Sequence, residues 1–179
     1  MRFKVIAHVD TFAFLVSLHA RLDLFDLHTL RQDYPASAHK DTRTIFLAGP
    51  EHPGLENWLL DVPHIKYPLL AEWPEADGLL RHIGNLLPPR PLGKVMLVEL
   101  AAGGAVGWHV DEGAYAEAHD RYHLPIVINP GAMLYSGGEQ AHVPTGLLTW
   151  FDNHALHSAV NFGASARIHL ILDVRKDGV

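Results

Sequence analysis

The chain has 179 residues, of which 48% are hydrophobic, and its formal net charge is −6. A chain of this length and composition is expected to fold around a core of its own, and its acidic surplus argues against nucleic-acid binding, which normally needs a basic surface. Because the chain contains no cysteine, neither disulfides nor thiolate metal sites can support the fold.

The first half of the chain is predicted to combine helices with a strand. Apolar residues recur at helical spacing after a capping residue, Asp10, and again over residues 79–87, where Pro88 ends the second helix. Residues 43–47 predict a strand that stops at the Ala-Gly-Pro sequence following it. Residues 50–74 contain the prolines and turn formers of a long loop.

The second half is predicted to consist of short strands joined by turns. Strands are expected at residues 94–100, 121–129, 132–135, 139–143, 146–151, 154–160 and 166–174, with a glycine-rich turn at 101–107. Short strands at even spacing indicate a sandwich or barrel. We expect one domain over residues 1–179, with 1–92 as a mixed helical and strand support and 93–176 as the core, because the C-terminal strands alone would leave a sheet face uncovered.

Three residues carry the pattern of a metal site. His109 and Asp111 are two positions apart, so at the end of an extended segment both side chains point to the same side. His157 adds a second imidazole, and two imidazoles with one carboxylate are the ligands with which non-haem ferrous centres leave coordination positions open. His154 is the alternative third ligand. On a strand it faces away from His157, so we interpret it as a loop residue or one that supports the ligands.

Three further side chains predict an anion site near the metal. Arg167 opens an apolar strand, where a buried charge needs an anionic partner. The turn at 161–165 is expected to fold this strand back beside the strand of His157, which places Arg167 deep in the fold, at a distance suited to the far carboxylate of a metal-chelating 2-oxoacid. Arg121 and His123 share a strand face and are predicted to donate to the same cosubstrate. The alternatives are that Arg167 forms an ordinary ion pair and that Arg121 and His123 face a partly wet cavity.

Five short motifs, taken together, resemble those of a known family. They occupy residues 107–111, 121–126, 150–153, 157–161 and 167–170. In this order they resemble the aspartyl/asparaginyl β-hydroxylase family of Fe(II)/2-oxoglutarate-dependent dioxygenases, and within it the bacterial L-proline cis-3-hydroxylases are the most similar. The motifs lie within residues 94–175, whereas the N-terminal half contributes only a loose likeness at 40–45.

The resemblance implies a mainly β fold with flanking helices, built on a double-stranded β-helix, or cupin-like jelly roll. The activity it implies is hydroxylation of an unactivated C–H bond of an amino acid, a peptidyl residue or a related small molecule, with O2 consumed and succinate and CO2 released. Its ligand set would be Fe(II) on His109, Asp111 and His157, and 2-oxoglutarate on Arg167, with contacts from Arg121 and His123.

Asp111 also distinguishes this chain within the family. The animal aspartyl/asparaginyl hydroxylases are similar but lack the carboxylate ligand, and a halogenase needs a small residue at this position to make room for chloride. Two other functions stay open at this point. One is a cupin-like metalloenzyme that uses no 2-oxoacid, and the other is a non-catalytic sensor of a metal or a small molecule.

The remaining expectations concern surroundings and partners. The loops at 48–74 and 112–120 are candidate lids, and Trp58, Glu112 and Tyr115 either line a substrate pocket or serve packing and surface. The N-terminal apolar stretch is too short for a signal peptide, and no apolar run approaches the roughly 20 residues of a membrane span. We therefore expect a cytoplasmic protein whose partners are O2 and a small substrate, with no nucleic acid or membrane. No motif specifies the substrate or the oligomeric state.

Overall fold

The structure of the protein is a computed structural model that describes residues 1–33, 37–52, 54 and 56–176. The strands are β1 Phe3–His8, β2 Thr42–Pro50, β3 His64–Lys66, β4 Leu92–Leu100, β5 Ala105–His109, β6 His119–Val127, β7 Ala132–Ser136, β8 Glu139–Ala141, β9 Leu147–Phe151, β10 His157–Asn161 and β11 Arg167–Arg175. The α-helices are α1 Phe12–His19, α2 Leu30–Asp33, α3 Pro68–Ala71, α4 Pro74–Leu86 and α5 Ala114–Ala118, and short 3-10 helices occupy Leu22–Asp26 and Glu56–Trp58.

The strands form two antiparallel sheets that pack face to face. The larger sheet has the order β1-β9-β6-β11-β4-β2-β3, and the smaller sheet has the order β5-β10-β7-β8. A cluster of buried apolar side chains joins them, with Leu100 from the larger sheet and Val106, Leu134 and Ala159 from the smaller one. This is the mainly β, cupin-like jelly roll that the resemblance implied.

The two faces of the larger sheet differ because side chains alternate along β11. Leu170 and Leu172 point to a core that includes side chains of α1 and α4. On the opposite face Arg167, His169 and Asp173 are also buried. The helices therefore cover one face of the larger sheet, and charged and polar residues gather on the other face, inside the roll.

Helices α1 and α4 form where apolar spacing predicts them. The carboxylate of Asp10 accepts a hydrogen bond from the Phe12 N–H at 2.9 Å, at the start of α1. Just before α4, the Trp73 indole N–H donates to the Ser17 hydroxyl at 2.8 Å, and its ring stacks on Phe14 with centroids 5.2 Å apart. These contacts fasten the two helices to each other on the outer face of the sheet.

One predicted neighbour relation is wrong. The strand of His157, β10, lies in the smaller sheet between β5 and β7, whereas the strand of Arg167, β11, lies in the larger sheet between β4 and β6. The loop at 162–166 crosses between the sheets instead of forming a hairpin. Asn161 supports the crossing, because its side-chain amide donates to the Leu100 carbonyl at 3.1 Å. Arg167 therefore reaches the interior from the sheet opposite His157.

Several strand limits also differ from the predicted ones. β1 lies outside the predicted strands and pairs with β9 at the edge of the larger sheet. β2 continues through Pro50 because β3 pairs with its last residues. β5 begins at Ala105, inside the predicted turn, because β10 pairs with it there. Residues 154–156 form a turn before β10, so the predicted strand starts three residues too early.

The predicted hairpin between β7 and β8 is present. Its two-residue loop is Gly137 and Gly138, with φ of +52° and +84°. Two-residue hairpin loops require these left-handed conformations, which glycine adopts without strain.

Strands from both halves of the chain share the larger sheet. β1, β2 and β3 precede residue 92, while β4, β6, β9 and β11 follow it. The division into one domain with a support region and a core stays a prediction. In the part of the chain that the structure describes, no helix is long and apolar enough to cross a bilayer.

Candidate metal centre and adjoining cavity

The three predicted metal ligands meet at one end of the roll. His109, the last residue of β5, pairs with His157, the first residue of β10, and Asp111 follows two residues after β5. Asp111 Oδ1 lies 3.5 Å from His109 Nε2 and 3.9 Å from His157 Nε2. All three ligand atoms lie within 4.8 Å of one another. Because nitrogen and oxygen ligands lie about 2 Å from a bound divalent ion, small movements suffice for the cluster to close on one cation.

Backbone carbonyls fix the orientation of both imidazoles. His109 Nδ1 lies 2.7 Å from the Gly107 oxygen, and His157 Nδ1 lies 2.9 Å from the Ala155 oxygen. A carbonyl can only accept, so each Nδ1 carries the proton and each Nε2 offers a lone pair. Burial lowers the pKa of His157 to about 4, although Asp111 opposes the shift. At neutral pH this ring is therefore uncharged, as metal binding requires.

Two donors hold the oxygen of Asp111 that is not turned to the imidazoles. Oδ2 accepts from Asn153 Nδ2 at 3.1 Å and from Arg121 Nη1 in a close ion pair. Burial raises the pKa of Asp111, but Arg121, the two neighbouring imidazoles and the hydrogen bond from Asn153 lower it by more, and the net pKa lies well below the usual range. The side chain is therefore a carboxylate whose Oδ1 is available to a cation.

Arg121 connects this ligand to a chain of buried polar groups. Its Nε and Nη2 donate to the two carboxylate oxygens of Asp173 at 2.8 and 2.9 Å. Asp173 also accepts from the Tyr115 hydroxyl at 3.0 Å, and the Tyr115 oxygen accepts from the Lys94 N–H at 2.7 Å. Burial lowers the pKa of Arg121, but the carboxylates of Asp111 and Asp173 raise it above its ordinary value. Three of its nitrogens are already engaged, and its contact with a cosubstrate stays a prediction.

The donor set fits a divalent first-row metal such as Fe(II). Two neutral imidazoles and one carboxylate bind on one side of the ion and leave the other positions open. The two imidazoles donate hydrogen bonds to backbone carbonyls, and the carboxylate accepts hydrogen bonds from an amide and a guanidinium. Outer partners of this kind are typical of metal sites, where they fix ligand orientation.

Arg167 lies at the other end of the interior, and its donors lack partners. The residue is 3% exposed, and its Nε and Nη1 make no hydrogen bond within the described residues. His123 and His169 have their Nδ1 atoms 3.3 Å apart, and the Nε2 of each is likewise buried without a partner. Burial lowers the pKa of Arg167 to about 10, so the guanidinium stays charged at neutral pH without a counter-ion.

A row of rings connects the two ends of the interior. Successive ring centroids lie 4.1, 5.1, 4.9 and 5.6 Å apart along the series His109, His157, Phe151, His123 and His169. His123 thus stands between the metal ligands and the last histidine of the row. The predicted contact of His123 with a cosubstrate stays a prediction.

A cavity of about 600 Å³ opens beside the metal cluster. His109 and Asp111 lie on its wall. The cavity is also lined by Trp58, Glu112 and Tyr115. The sequence left both pocket and packing roles open for these three residues. The cavity therefore gives a molecule of substrate size direct access to two of the three candidate ligands.

Two neighbouring predictions have different outcomes. The candidate lid at 112–120 is largely regular structure, because it contains α5 and the beginning of β6. His154 lies on an exposed turn, with its Nε2 3.0 Å from Lys176 Nζ, and it does not join the cluster. His157, and not His154, is therefore the imidazole that lies beside Asp111, and its role as a metal ligand stays a prediction.

Sequence reasoning missed three residues that shape the interior. Asp173 and His169 alternate with Arg167 along one strand, so the strand pattern already placed them on the same face as the arginine. A carboxylate within an apolar strand was a signal of the same kind as Arg167 itself. Asn153 carried no such signal, because its role depends on how a turn folds against Asp111.

The comparison with known proteins agrees with this geometry. Residues 64–177 match the family described as Aspartyl/Asparaginyl beta-hydroxylase. The chain belongs to this family. Membership supports hydroxylase or oxygenase activity in general terms. No curated protein sequence matches the chain.

Two solved structures resemble the whole chain in fold. A 2OG-Fe(II) oxygenase-family oxidoreductase from Burkholderia pseudomallei has 15% identity and a TM-score of 0.51, over 90% of this chain and 80% of that chain. The non-heme monooxygenase ThoJ, in a nickel complex, has 11% identity and a TM-score of 0.54, over 97% of this chain and 73% of that chain. At such identities the likeness extends to the fold alone.

Proposed function

We propose that the protein is an Fe(II)/2-oxoglutarate-dependent dioxygenase. It would hydroxylate an unactivated C–H bond of an amino acid, a peptidyl residue or a related small molecule and release succinate and CO2. The observation that carries the proposal is the pairing of two features in one interior. One is a cluster of two imidazoles and a carboxylate, and the other is the buried Arg167, whose Nε and Nη1 make no hydrogen bond within the described residues. Family membership supports it.

The triad supplies the metal site. His109, Asp111 and His157 would hold Fe(II), which when bound supplies the oxygen chemistry that side chains lack. Because Arg121 and Asn153 engage Oδ2 of Asp111, that carboxylate offers the metal its single free oxygen, Oδ1. The two imidazoles cannot turn away without losing their bonds to backbone carbonyls. The residues thus keep one side of the site filled and the other open.

Arg167 supplies the site for the far carboxylate of 2-oxoglutarate. A guanidinium presents a rigid fork that binds a carboxylate through two parallel hydrogen bonds, which a lysine cannot reproduce. His123 and His169 offer unpaired Nε2 atoms on the same interior. Burial, followed by the nearby arginines, keeps the pKa of both histidines well below the usual range. The positive charge at this end therefore belongs to Arg167.

Turnover measurements test the reaction class. Protein loaded with Fe(II) and 2-oxoglutarate is screened against free amino acids and short peptides, and both oxygen uptake and succinate are quantified. We expect one succinate for each oxygen consumed with the true substrate. Oxygen uptake without succinate would support a cupin-like metalloenzyme that uses no 2-oxoacid. Tight 2-oxoglutarate binding without turnover on any candidate would support a sensor.

Direct binding tests the role of Arg167. Anaerobic calorimetric titration of 2-oxoglutarate into metal-loaded protein compares the natural chain with Arg167→Gln. Losing one partner of a buried charged hydrogen bond costs about 3 kcal/mol, so we expect about 100-fold weaker binding with metal affinity nearly unchanged. Arg81→Gln is the matched control, since Arg81 is exposed and pairs with Asp77 on the outer helix α4. Equal cosubstrate affinity in the Arg167 variant would refute the assignment.

A further inference from the structure

The cavity beside the metal cluster has a second wall that the proposed function does not use. This wall consists of Leu30 and Arg31 from α2 and of Ser37, Ala38 and His39. These residues belong to the N-terminal half, outside every motif of the metal site. Their chemistry bears on what the cavity accepts.

Hydrogen bonds tie this wall to the metal centre. The Ala38 carbonyl accepts from the Gly107 N–H at 2.8 Å, two residues before His109 on β5. The ring of His39 stands edge-on to the ring of His109, with centroids 4.9 Å apart and an interplanar angle of 83°. The wall is therefore held in register with a candidate metal ligand.

Within the wall, Ser37 fixes the position of Arg31. The Ser37 hydroxyl donates to the Arg31 carbonyl in a close contact, and the same oxygen accepts from the His39 N–H at 3.0 Å. The backbone that carries Arg31 is thus linked to the backbone that carries His39. The two side chains meet over the cavity as a consequence.

The guanidinium of Arg31 has no anionic partner. Nη2 lies 3.0 Å from His39 Nδ1 and Nη1 lies 3.6 Å from Met96 Sδ, and no carboxylate of the described residues forms an ion pair with it. Because a guanidinium only donates, His39 Nδ1 is the acceptor and the His39 proton lies on Nε2. Burial and then Arg121 lower the pKa of Arg31 to about 10, although Asp111 and Asp173 oppose the shift, so the charge persists at neutral pH.

The other two cations of the cavity are already accommodated. Arg121 is paired with Asp111 and Asp173. Lys94 donates to the Trp58 carbonyl in a close hydrogen bond, and its Nζ lies 3.6 Å from the centroid of the Tyr115 ring. Burial lowers the pKa of Lys94 to about 7, so this residue can also shed its charge. Arg31 has no ion pair of its own and stays charged, with the carboxylates of Asp111 and Asp173 acting on it only from a distance, so an anion that enters the cavity would be its first direct charged partner.

We propose that Arg31, with His39 beside it, binds a carboxylate of the substrate, so that the substrate is a carboxylic acid whose reacting carbon lies next to His109 and Asp111. The position of the reacting carbon rests on the proposed function, whereas the anion site at Arg31 does not depend on it. The guanidinium fork would take the carboxylate bidentately, and Leu30 and Met96 on the cavity wall would contact the carbon skeleton. Arg167 does not line this cavity, so the cosubstrate and the substrate would each have an arginine of their own.

Side-chain NMR of the natural chain tests the proposal without knowledge of the true substrate. The protein is ¹⁵N-labelled and loaded with zinc, which is diamagnetic, and Arg31→Lys identifies the Nε–H signal of Arg31. Acetate, benzoate and N-acetylglycine are titrated with and without saturating 2-oxoglutarate, and the matched amides are the uncharged controls. We expect at least one acid to shift the Arg31 signal saturably in the presence of 2-oxoglutarate, and no amide to do so. Arg31→Lys should bind that acid at least about tenfold more weakly, whereas Arg81→Gln should bind it normally.

Each other result has a definite meaning. If none of the three acids shifts the Arg31 signal, or acids and amides shift it alike, Arg31 is not a carboxylate site. If 2-oxoglutarate competes with the acids for Arg31, the residue belongs to the cosubstrate site and the proposal is overturned. If the acids bind at Arg31 but 2-oxoglutarate shifts no arginine signal, the proposed dioxygenase function fails while the carboxylate site stands.

Discussion

The two ends of the roll interior differ in whether their buried charged groups have partners. At the metal end, Arg121 is bound to Asp111 and Asp173, and each of these carboxylates has a further donor. At the far end, Arg167 and the two histidines near it keep donors or acceptors buried without partners. Unpaired buried polar groups are costly. The difference teaches that the metal end is organised without a ligand, whereas the far end keeps buried polar atoms that a bound anion would satisfy.

Removal of a metal ligand should have the largest effect. His157→Ala should abolish Fe(II)-dependent succinate formation, because His109 and Asp111 would leave the metal with one imidazole instead of two. His154→Ala is the matched control three residues away, on an exposed turn, and should keep nearly full activity. Succinate release and iron content are measured for both. Undiminished turnover in the His157 variant would show that His157 is not a metal ligand and would contradict the proposed metal site.

Arg121→Met should cost about 3–5 kcal/mol of the free energy of unfolding, because it leaves two buried carboxylates without their cation. Urea denaturation of metal-free protein measures the loss. Arg81→Met is the comparison, since an exposed i,i+4 pair contributes about 0.3–0.5 kcal/mol. A loss below about 1 kcal/mol in the Arg121 variant would mean that the metal end is not held together as its contacts indicate.

Arg167→Met should leave the free energy of unfolding of the metal-free protein unchanged or raise it, because the substitution removes a buried charge that has no counter-ion. The same urea titration measures it. Adding metal and 2-oxoglutarate should then stabilise the natural chain but not the variant, since only the natural chain binds the diacid. A strong destabilisation by Arg167→Met would show that this end also has an internal partner, and the contrast between the ends would disappear.

Acid should weaken the metal-free protein through its buried histidines. In an unfolded chain a histidine takes up a proton near pH 6.5. Burial lowers the pKa of His157 to about 4 and those of His123 and His169 well below the usual range. Between about pH 6.5 and 4 the unfolded chain therefore binds more protons, so stability falls as the pH falls, by about 1.4 kcal/mol per pH unit for each such histidine. His169→Gln should lower the slope by one such increment in urea titrations across this range. An unchanged slope would indicate that His169 is not buried uncharged.

Local pattern predicted the parts of the site that lie on single strands. The His-x-Asp spacing identified His109 and Asp111, and alternation along one strand put Arg121 and His123 on the same face. These predictions need only the two-residue period of an extended chain. The jelly roll came from the order of several motifs, not from any one of them.

The features that the sequence pattern did not predict depend on contacts between distant parts of the chain. A five-residue connection after Asn161 suits a hairpin as well as a crossing between sheets, and the outcome depends on β4 and β6 pairing with β11. The edge strand β1 is not predicted from local sequence because it pairs with β9, which lies far away along the chain. Arg31 and His39 reach the cavity only because the Ala38 carbonyl binds β5. No spacing in the sequence encodes that contact.

Strand β11 carries groups that serve both ends, with Arg167 at its beginning and Asp173, the partner of Arg121, six residues later. The side chains of a strand change face with every residue. Inserting or deleting one residue between these two positions would turn one of them into the apolar core. The interval from the arginine to the candidate metal ligands can therefore lengthen or shorten only in steps of two residues, about 7 Å, so under the proposed function small changes in sequence would not alter the length of the diacid bound between them.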